Sequence, residues 1–189
     1  MNLPLLPTPA ILCPKGRIPL QIYEPRYLDM LSRILKAESD FVIVMLRSDD
    51  QEDSFYKVGT RARVVDFGAL TEEGWLTITA EGVSQVKLSN VTRQDDGLWL
   101  ADTSEQHSGD YVDLPEKYDE LKLVLRALVK HPYVKDLNMD IDYQDCREIG
   151  WRLTELLPFE RQQKQCLYEM NDALYRLETI TKQLSEMVE

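Results

Sequence analysis

The chain has 189 residues, of which 43% are hydrophobic and 29% are charged, and its formal net charge is −11 at pH 7. This composition is typical of a folded globular protein and excludes extensive disorder. Residues 1–105 carry 11 basic and 16 acidic side chains and the remainder is also acidic, which disfavours nucleic-acid binding because phosphate neutralisation supplies most of that affinity.

The stretch RIPLQIYEPRYLDML, residues 17–31, begins with a strand pattern and ends with a helical one. Apolar side chains alternate with polar ones up to Tyr23, which is typical of a strand with one buried face. Pro19 has no amide N–H to give to a neighbouring strand, so we place this strand at a sheet edge or at a bulge. After Pro25 the apolar residues recur at helical spacing, and proline is favoured at the first position of a helix. The stretch therefore predicts a strand followed by a helix at about residues 25–37.

The YEPRY motif at this junction allows two interpretations. As a strand-to-helix corner, it places the negative charge of Glu24 against the positive end of the helix dipole, within reach of Arg26. This interpretation explains most of the motif without any ligand. The second interpretation is a shared groove at the corner, lined by Tyr23, Arg26 and Tyr27.

The rest of the first half has the pattern of short strands separated by turns. FVIVMLR, residues 41–47, is a continuous apolar run that suits a strand buried on both faces. GTRARVVDFGAL, WLTITAEG, SQVKLSNV and LWLADTSE follow, and Gly82 marks a bulge or bend. The turn signals are Glu73-Gly74 and Asp96-Gly97. Six or so such strands predict an antiparallel barrel or a strongly curled sheet.

From Asp113 the apolar spacing becomes helical. LPEKYDELKLVLRALVKHP has one apolar face and ends at Pro132. DYQDCREIGWRLTELLP repeats the pattern, with Asp142 as its expected N-cap and Pro158 as its stop. The next segment, PFERQQKQCLYEM, opens with this same proline, which we place at the first position of another helix.

The last two helical segments also fit a heptad repeat. Its a and d positions are Leu167, Met170, Leu174, Leu177, Thr181, Leu184 and Val188. A coiled coil would need one uninterrupted helix, but Asn171 and Asp172 are weak helix formers and good N-caps. We therefore favour two antiparallel helices packed within the domain, the second capped by Asn171 or Asp172, over an intermolecular coiled coil.

The two patterns predict an α+β protein with two parts. Residues 1–110 form a β subdomain with one helix at about residues 25–37, and residues 111–189 form an α-helical bundle. No apolar run approaches the roughly 20 residues that cross a bilayer. The N-terminus lacks the basic and long apolar regions of a signal peptide, so we expect a cytoplasmic protein without membrane contact.

The three cysteines, Cys13, Cys146 and Cys166, are odd in number and widely spaced, which predicts thiols rather than a disulfide framework. Neither His107 nor His131 has a ligand partner at a short spacing, so we expect no metal and no cofactor. A cryptic hydrolase is one alternative, in which Cys13 or Cys166 pairs with His107 or His131. The sequence contains no G-x-S-x-G motif that would support a serine hydrolase.

Four separated segments, taken in order, carry a resemblance to a known family. They are LPLLPTPAILCPKGRIPLQIYEPRYLDML (residues 3–31), YKVGTRARVVDF (56–67), LTITAEGVSQVKL (76–88) and LTELLPFERQQKQCLYEMNDALYRLETI (153–180). They resemble the N-terminal substrate-binding domain of the ATP-dependent Lon proteases, and above all the small stand-alone bacterial proteins made of that domain. The resemblance implies a PUA-like β pseudo-barrel followed by an α-helical bundle.

The same resemblance implies a non-catalytic protein-binding module that recognises unfolded or tagged polypeptide in protein quality control. The sequence has no G-x-x-x-x-G-K-[ST] phosphate loop. The chain also ends at Glu189, where the protease would continue toward its ATPase and Ser-Lys peptidase domains. We therefore expect an absence of enzymatic activity. RNA binding is a further alternative, because PUA-like barrels elsewhere bind RNA, but the acidic charge weighs against it.

Peptide capture needs exposed apolar or aromatic surface, which we expect where barrel and helices meet. The candidate peptide-binding residues are Tyr23, Arg26, Tyr27, Phe67, Trp75 and Trp99. Each aromatic could instead fill the barrel, and solvent exposure decides between the two roles. The expected partners are polypeptide substrates or a partner protein, without nucleic acid, and a weak homodimer is left open.

Overall fold

The structure, a computed structural model, describes residues 1–49 and 53–188. In it the chain divides into two units, Met1–Gln106 and His107–Glu189. The boundary expected from the sequence lies a few residues further along the chain. All the strands belong to the first unit, and the second unit is helical.

The described part of the first unit has six strands and one helix. They are β1 (Asn2–Thr8), β2 (Arg17–Ile22), α1 (Pro25–Ala37), β3 (Phe41–Met45), β4 (Val58–Phe67), β5 (Leu76–Arg93) and β6 (Trp99–Glu105). The strand order is β2-β5-β4-β3-β1-β6, and β5 also pairs with β6. This extra pairing closes β1, β3, β4, β5 and β6 into a ring and leaves β2 at an edge, beside β5.

The sheet departs from the sequence prediction in two places. β1 was not among the predicted strands, and it pairs in parallel with β3, whereas the other strand pairs are antiparallel. β1 was not predicted because it contains Pro4 and Pro7, and proline is unusual inside a strand. The segments predicted as two strands, WLTITAEG and SQVKLSNV, form the single strand β5, in which a register shift near Gly82 bends the ladder without ending it.

Gly82 is required by a close backbone approach. A Cβ atom there would lie 2.2 Å from the carbonyl oxygen of Cys13. The loop that contains Cys13 is hydrogen-bonded to the strand, since Lys15 N–H donates to the Gly82 carbonyl at 2.8 Å and Gly82 N–H donates to the Gly16 carbonyl at 2.9 Å. The predicted bulge is therefore confirmed, and its cause is a loop packed directly on β5.

The corner between β2 and α1 follows the prediction. Helix α1 begins at Pro25, and Arg26 forms an ion pair with Glu24 at 2.6 Å. The buried face of α1 consists of Tyr27, Met30, Leu31 and Ile34. The edge position of β2 also confirms the prediction from Pro19.

Strand β3 shows why its sequence is apolar throughout. All five of its residues are buried. Phe41 and Ile43 belong to a hydrophobic cluster that also contains the buried face of α1. Val42 and Val44 belong to a second cluster with residues of β1, β5 and β6. Since side chains alternate between the two faces of a strand, β3 contributes to both clusters at once.

The described part of the second unit has five helices and a single 3₁₀ turn, Glu116–Tyr118. The helices are α2 (Asp119–Val129), α3 (Pro132–Lys135), α4 (Cys146–Leu156), α5 (Arg161–Glu169) and α6 (Ala173–Val188). Their shared core includes Leu121, Leu125, Ile149, Leu153, Leu167 and Leu177. The apolar faces predicted for the first two long segments are confirmed, whereas the short helix α3 was not predicted.

Two predicted helix starts are wrong. α4 is capped by Asp145, whose carboxylate accepts from Arg147 N–H at 2.8 Å. Asp142 instead accepts from Gln144 N–H in the preceding turn. α5 is capped by Glu160 in a capping box with Gln163 rather than beginning at the proline that ends α4. In both cases the N-cap is an acidic residue that lies closer to the helix than the residue predicted to start it.

The heptad repeat near the C-terminus does not continue along one helix. α5 ends at Glu169 and α6 begins at Ala173. Asp172 accepts from Tyr175 N–H at 3.0 Å, as expected of the predicted N-cap. The last heptad position, the Val188 side chain, lies outside the described part of the chain. None of the helices in that part has the length and apolarity of a membrane span.

Candidate functional site

A groove of about 470 Å³ runs along β2 in the first unit. Its lining includes residues 18–24 without interruption, residues 6–10, and the side chains of Tyr27 and Thr77. Successive side chains of a strand point to opposite faces. A groove lined by consecutive strand residues therefore lies along the edge of the strand rather than over one face.

The groove is mostly apolar. Its aliphatic lining consists of Leu6, Pro7, Pro9, Ala10, Ile18, Pro19, Leu20 and Ile22. Glu24 contributes the only formal charge to this lining, and the ion pair with Arg26 at 2.6 Å balances that charge. The groove thus offers apolar surface and a strand edge rather than a charged or metal-binding centre.

Tyr23 and Trp75 form an aromatic pair at the end of β2. Their ring centroids are 4.7 Å apart, and Tyr23 remains 54% exposed. The turn at Gly74, where φ is 82°, brings Trp75 back beside β2. Trp75 N–H donates to the Thr71 hydroxyl at 3.1 Å, which fixes the end of this turn. The glycine turn predicted from the sequence is thus what positions Trp75.

Phe67 lies in a cross-strand row that leads to the groove. It pairs with Ile78 of β5, and Ile78 pairs with Leu20 of β2. Paired residues in a sheet share a face. Phe67 is 50% exposed at the end of this row, whereas Ile78 in its middle is fully buried. Phe67 and Leu20 therefore lie on the same face of the sheet, separated by the buried Ile78.

Tyr27 lines the groove and also packs in the core, whereas Arg26 has a structural role and is not among the lining residues. Tyr27 is buried against the α1 cluster, yet part of it reaches the groove. The Arg26 guanidinium lies 4.8 Å from the Tyr27 ring centroid and donates to the Gly97 carbonyl at 3.2 Å. Arg26 therefore ties the corner to the turn between β5 and β6. The corner interpretation of the YEPRY motif agrees with the helix start at Pro25 and with the Glu24–Arg26 ion pair. The groove interpretation stays a prediction, and of its three residues only Tyr23 and Tyr27 line the groove.

Phe67 and Trp75 are not among the lining residues of the groove, and neither is Trp99. The Trp99 ring packs edge-on against Phe55, with centroids 5.8 Å apart, and Arg93 covers it at 5.3 Å. Residues 6–10 line the groove although the sequence pattern did not predict it. Their signal was weak, because a strand with two prolines resembles a loop in sequence.

The opposite end of β2 is charged. The carboxylate of Glu81 accepts from Arg17 Nε at 2.9 Å and from Arg63 Nη2 at 2.7 Å. Burial opposes the ionised form of Glu81, but the hydrogen bonds from the two arginines outweigh it and hold its pKa below the usual value. β2 therefore runs from an ionic cluster at Arg17 to an aromatic pair at Tyr23.

The thiols and imidazoles considered for a hydrolase lie in different surroundings. Cys13 is fully buried, whereas Cys166 is exposed. The third cysteine, Cys146, is buried, and burial together with Asp145 and Asp113 raises its pKa to about 11. His107 lies 3.6 Å from Asp110. His131 stacks on Tyr133 with centroids 5.5 Å apart. Within the described ranges, no group of three or more acidic, histidine or cysteine side chains could hold a metal ion.

The family of the chain follows from its sequence as a whole. The family model of the ATP-dependent protease La (LON) substrate-binding domain matches residues 2–186. The chain belongs to this family. The resemblance identified from the four sequence segments is therefore confirmed, and it extends over nearly all of the 189 residues.

Two solved structures resemble the chain from end to end. The Lon N-terminal domain protein from Xanthomonas campestris is 25% identical, with a TM-score of 0.78, and the match covers 96% of this chain and 98% of that one. The N-terminal domain of Mycobacterium avium complex Lon protease is 14% identical, with a TM-score of 0.65 and coverage of 96% and 97%. This second likeness concerns the fold alone. No curated protein matches the chain. The α+β fold expected for a Lon N-terminal domain is confirmed.

Proposed function

We propose that this protein is a non-catalytic module that binds unfolded or partner polypeptides in the groove along β2. One observation carries the proposal, namely an apolar groove beside an unclosed sheet edge in a member of a substrate-binding domain family. The binding residues would be Tyr23, Tyr27, Trp75 and Phe67, with Arg26 as a positioning residue.

The aromatic side chains support this function energetically. Binding a flexible chain costs ordering entropy, which buried apolar area has to offset. Tyr23 and Trp75 offer large ring surfaces and, since they already contact each other, lose little conformational freedom on binding. Phe67 would add a second contact along the row that passes through Leu20.

We further propose that the module acts in cytoplasmic protein quality control and performs no chemical step itself. The family is defined by substrate binding for an ATP-dependent protease. The groove lining has no nucleophile–base pair, since its polar side chains are those of threonine, glutamine, tyrosine and one glutamate paired with Arg26. Turnover of ATP or of a peptide by the purified chain would contradict this part of the proposal.

The proposal is tested with a permanently unfolded polypeptide, fluorescein-labelled, reduced and carboxymethylated α-lactalbumin, by fluorescence anisotropy. Replacing Tyr23 with alanine is expected to raise the Kd about fivefold to tenfold, because it removes an exposed aromatic contact. The matched control is Tyr133→Ala, which removes a tyrosine that is 80% exposed and does not line the groove. Its Kd should equal that of the wild type.

Two outcomes would contradict the proposed function. The first is an absence of binding by the wild-type chain. The second is equal affinity for the wild type, Tyr23→Ala and a Tyr23→Ala/Trp75→Ala double variant. Circular dichroism melting of each variant separates a loss of contact from a loss of folding.

A further inference from the structure

Strand β2 presents one backbone edge to the groove. Residue by residue, β2 pairs with β5 from Arg17 opposite Glu81 to Ile22 opposite Leu76. In an antiparallel ladder, alternate residues direct both backbone groups toward the partner strand or away from it. Proline in an edge strand has its nitrogen on the side away from the partner. Pro19, and Gln21 two residues later, therefore direct their backbone groups away from β5.

This arrangement leaves a short set of hydrogen-bonding groups along the groove. They are the Pro19 carbonyl and both the N–H and the carbonyl of Gln21. The groove follows the same residues on both faces of β2. A second strand would lie about 4.8 Å from β2, and the six residues of β2 provide an edge of about 20 Å.

The side chains around this edge define the chemistry of the segment that would fit. On one face it would meet the partly buried Ile18 and Leu20, and on the other it would meet Gln21 and Tyr23. A segment that alternates apolar with small polar residues matches this pair of surfaces. The single carboxylate in the lining is balanced by its arginine, so the groove offers a charged segment no counter-charge. The complementary ligand is therefore uncharged.

A second copy of this chain fits the edge poorly. If two β2 strands paired, each would bring a proline without an N–H and an Arg17 already bonded to Glu81. Prolines and charges on an edge strand are features that protect a sheet against pairing with itself. A foreign strand can supply both an uninterrupted set of amides and an uncharged sequence.

We propose that the groove binds an extended, uncharged segment of alternating apolar and polar residues, which pairs with β2 as an additional strand of the sheet. This inference rests on the proposed function and specifies its mode. Backbone pairing supplies affinity that is largely independent of the ligand's sequence. The apolar side chains of β2 favour ligands in which every second residue is apolar. Such a segment is exposed in unfolded chains and hidden in folded ones.

The test uses the full chain and a fluorescein-labelled peptide of about ten residues, matched to the length of an edge strand. The peptide alternates valine with threonine and carries a lysine at each end for solubility. A series of the same peptide has one backbone nitrogen methylated at a time. Because a strand added on one side uses every second amide, the Kd is expected to rise at alternate positions, by about fivefold or more.

A protein variant tests the same backbone pairing by removing a donor from β2 instead of from the peptide. Gln21→Pro removes one outward N–H and leaves the ladder between β2 and β5 complete, so the Kd should rise about fivefold to tenfold. Gln21→Ala removes the side chain but keeps the N–H, and its effect should be clearly smaller. Circular dichroism checks that Gln21→Pro folds, and the methylated peptides on the wild-type chain provide the test if it does not.

The outcomes separate this inference from the proposed function. If unfolded α-lactalbumin binds but methylation has no effect with a period of two residues, strand addition is overturned and the proposed function stands. If light scattering shows a dimer that the peptide dissociates, a second copy occupies the edge and the inference is wrong. If neither the unfolded protein nor the peptide binds, both proposals fail. Alternating sensitivity together with the Gln21→Pro effect would establish strand addition.

Discussion

Glu81 joins three strands through one carboxylate. It lies on β5, it is only 17% exposed, and it accepts hydrogen bonds from Arg17 of β2 and Arg63 of β4. Burial alone would raise its pKa, but the two arginines reverse that effect and lower it. These contacts stabilise the attachment of the edge strand β2, and they depend on the ionised form of Glu81.

The contribution of Glu81 should therefore depend on pH. A carboxylate whose pKa is lowered in the folded state stabilises the protein fully above its unfolded pKa, here about 4.5, and loses that effect as the pH falls through the lowered folded-state pKa. Glu81→Gln should lower the free energy of unfolding by about 1 kcal/mol at pH 7, and the difference should be smaller at pH 3, where more of the carboxylate is protonated. Urea unfolding at both pH values measures this.

The control for this prediction is Glu72→Gln in the exposed turn between β4 and β5. Its free energy of unfolding should match that of the wild type at both pH values. An equal loss of stability for Glu81→Gln at pH 7 and pH 3 would show that the ionised carboxylate is not what stabilises this site.

At the scale of elements, the junction of α5 and α6 depends on a buried arginine. Arg176 of α6 donates from Nε to the Leu167 carbonyl at 2.8 Å and from Nη2 to the Met170 carbonyl. The end of α5 thereby gains a buried side-chain donor for two of its carbonyls, of which that of Leu167 also accepts from Met170 N–H at 3.4 Å. The Arg176 guanidinium also lies 5.6 Å from the Trp151 ring centroid in α4. Gly150 makes room for it, because a Cβ there would lie 2.9 Å from Arg176 Cδ.

Replacing Arg176 with methionine should destabilise the second unit by about 3 kcal/mol. The apolar part of the side chain is kept, but the carbonyls at the end of α5 lose their buried donors. Guanidinium chloride unfolding followed by circular dichroism measures the loss. Lys182→Met is the control, because Lys182 is exposed on the same helix, and it should change stability by less than about 0.5 kcal/mol. Similar effects of the two substitutions would contradict the assigned role of Arg176.

For the molecule as a whole, each unit has its own hydrophobic core. The first unit contains two hydrophobic clusters, one on each face of β3, and the second unit contains one cluster. The groove belongs to the first unit, since its lining begins at Leu6 and ends at Thr77. Folding of the first unit and binding at the groove should therefore need residues 1–106 only.

Residues 1–106, produced alone, should give a strand-rich circular dichroism spectrum and a cooperative thermal transition. A chain of this length can bury enough apolar surface to fold by itself. If the proposed function is correct, its affinity for unfolded α-lactalbumin should lie within about twofold of the full chain. A non-cooperative transition would show that the core of the first unit is not sufficient.

Part of the candidate site could be predicted because its signals are local. Tyr23 and Tyr27 flank a corner whose geometry follows from Pro25, and the glycine turn that positions Trp75 is visible in the sequence. The residues 6–10 could not be assigned to the groove, because they approach β2 only after β1 has paired in parallel with β3. Phe67 and Leu20 are likewise joined only through the register of β4, β5 and β2.

The amino-acid sequence by itself determined the helix start at Pro25 and the fully buried character of β3, and it limited Pro19 to a sheet edge or a bulge. Each depends on covalent geometry or on the periodicity of neighbouring side chains, which are properties of a few consecutive residues. Only the tertiary structure decided that β1 lies parallel to β3 and that residues 6–10 face residues 18–24 across a groove. Contacts between distant residues depend on strand register and sheet closure, which stabilise the fold only when all the strands are in place.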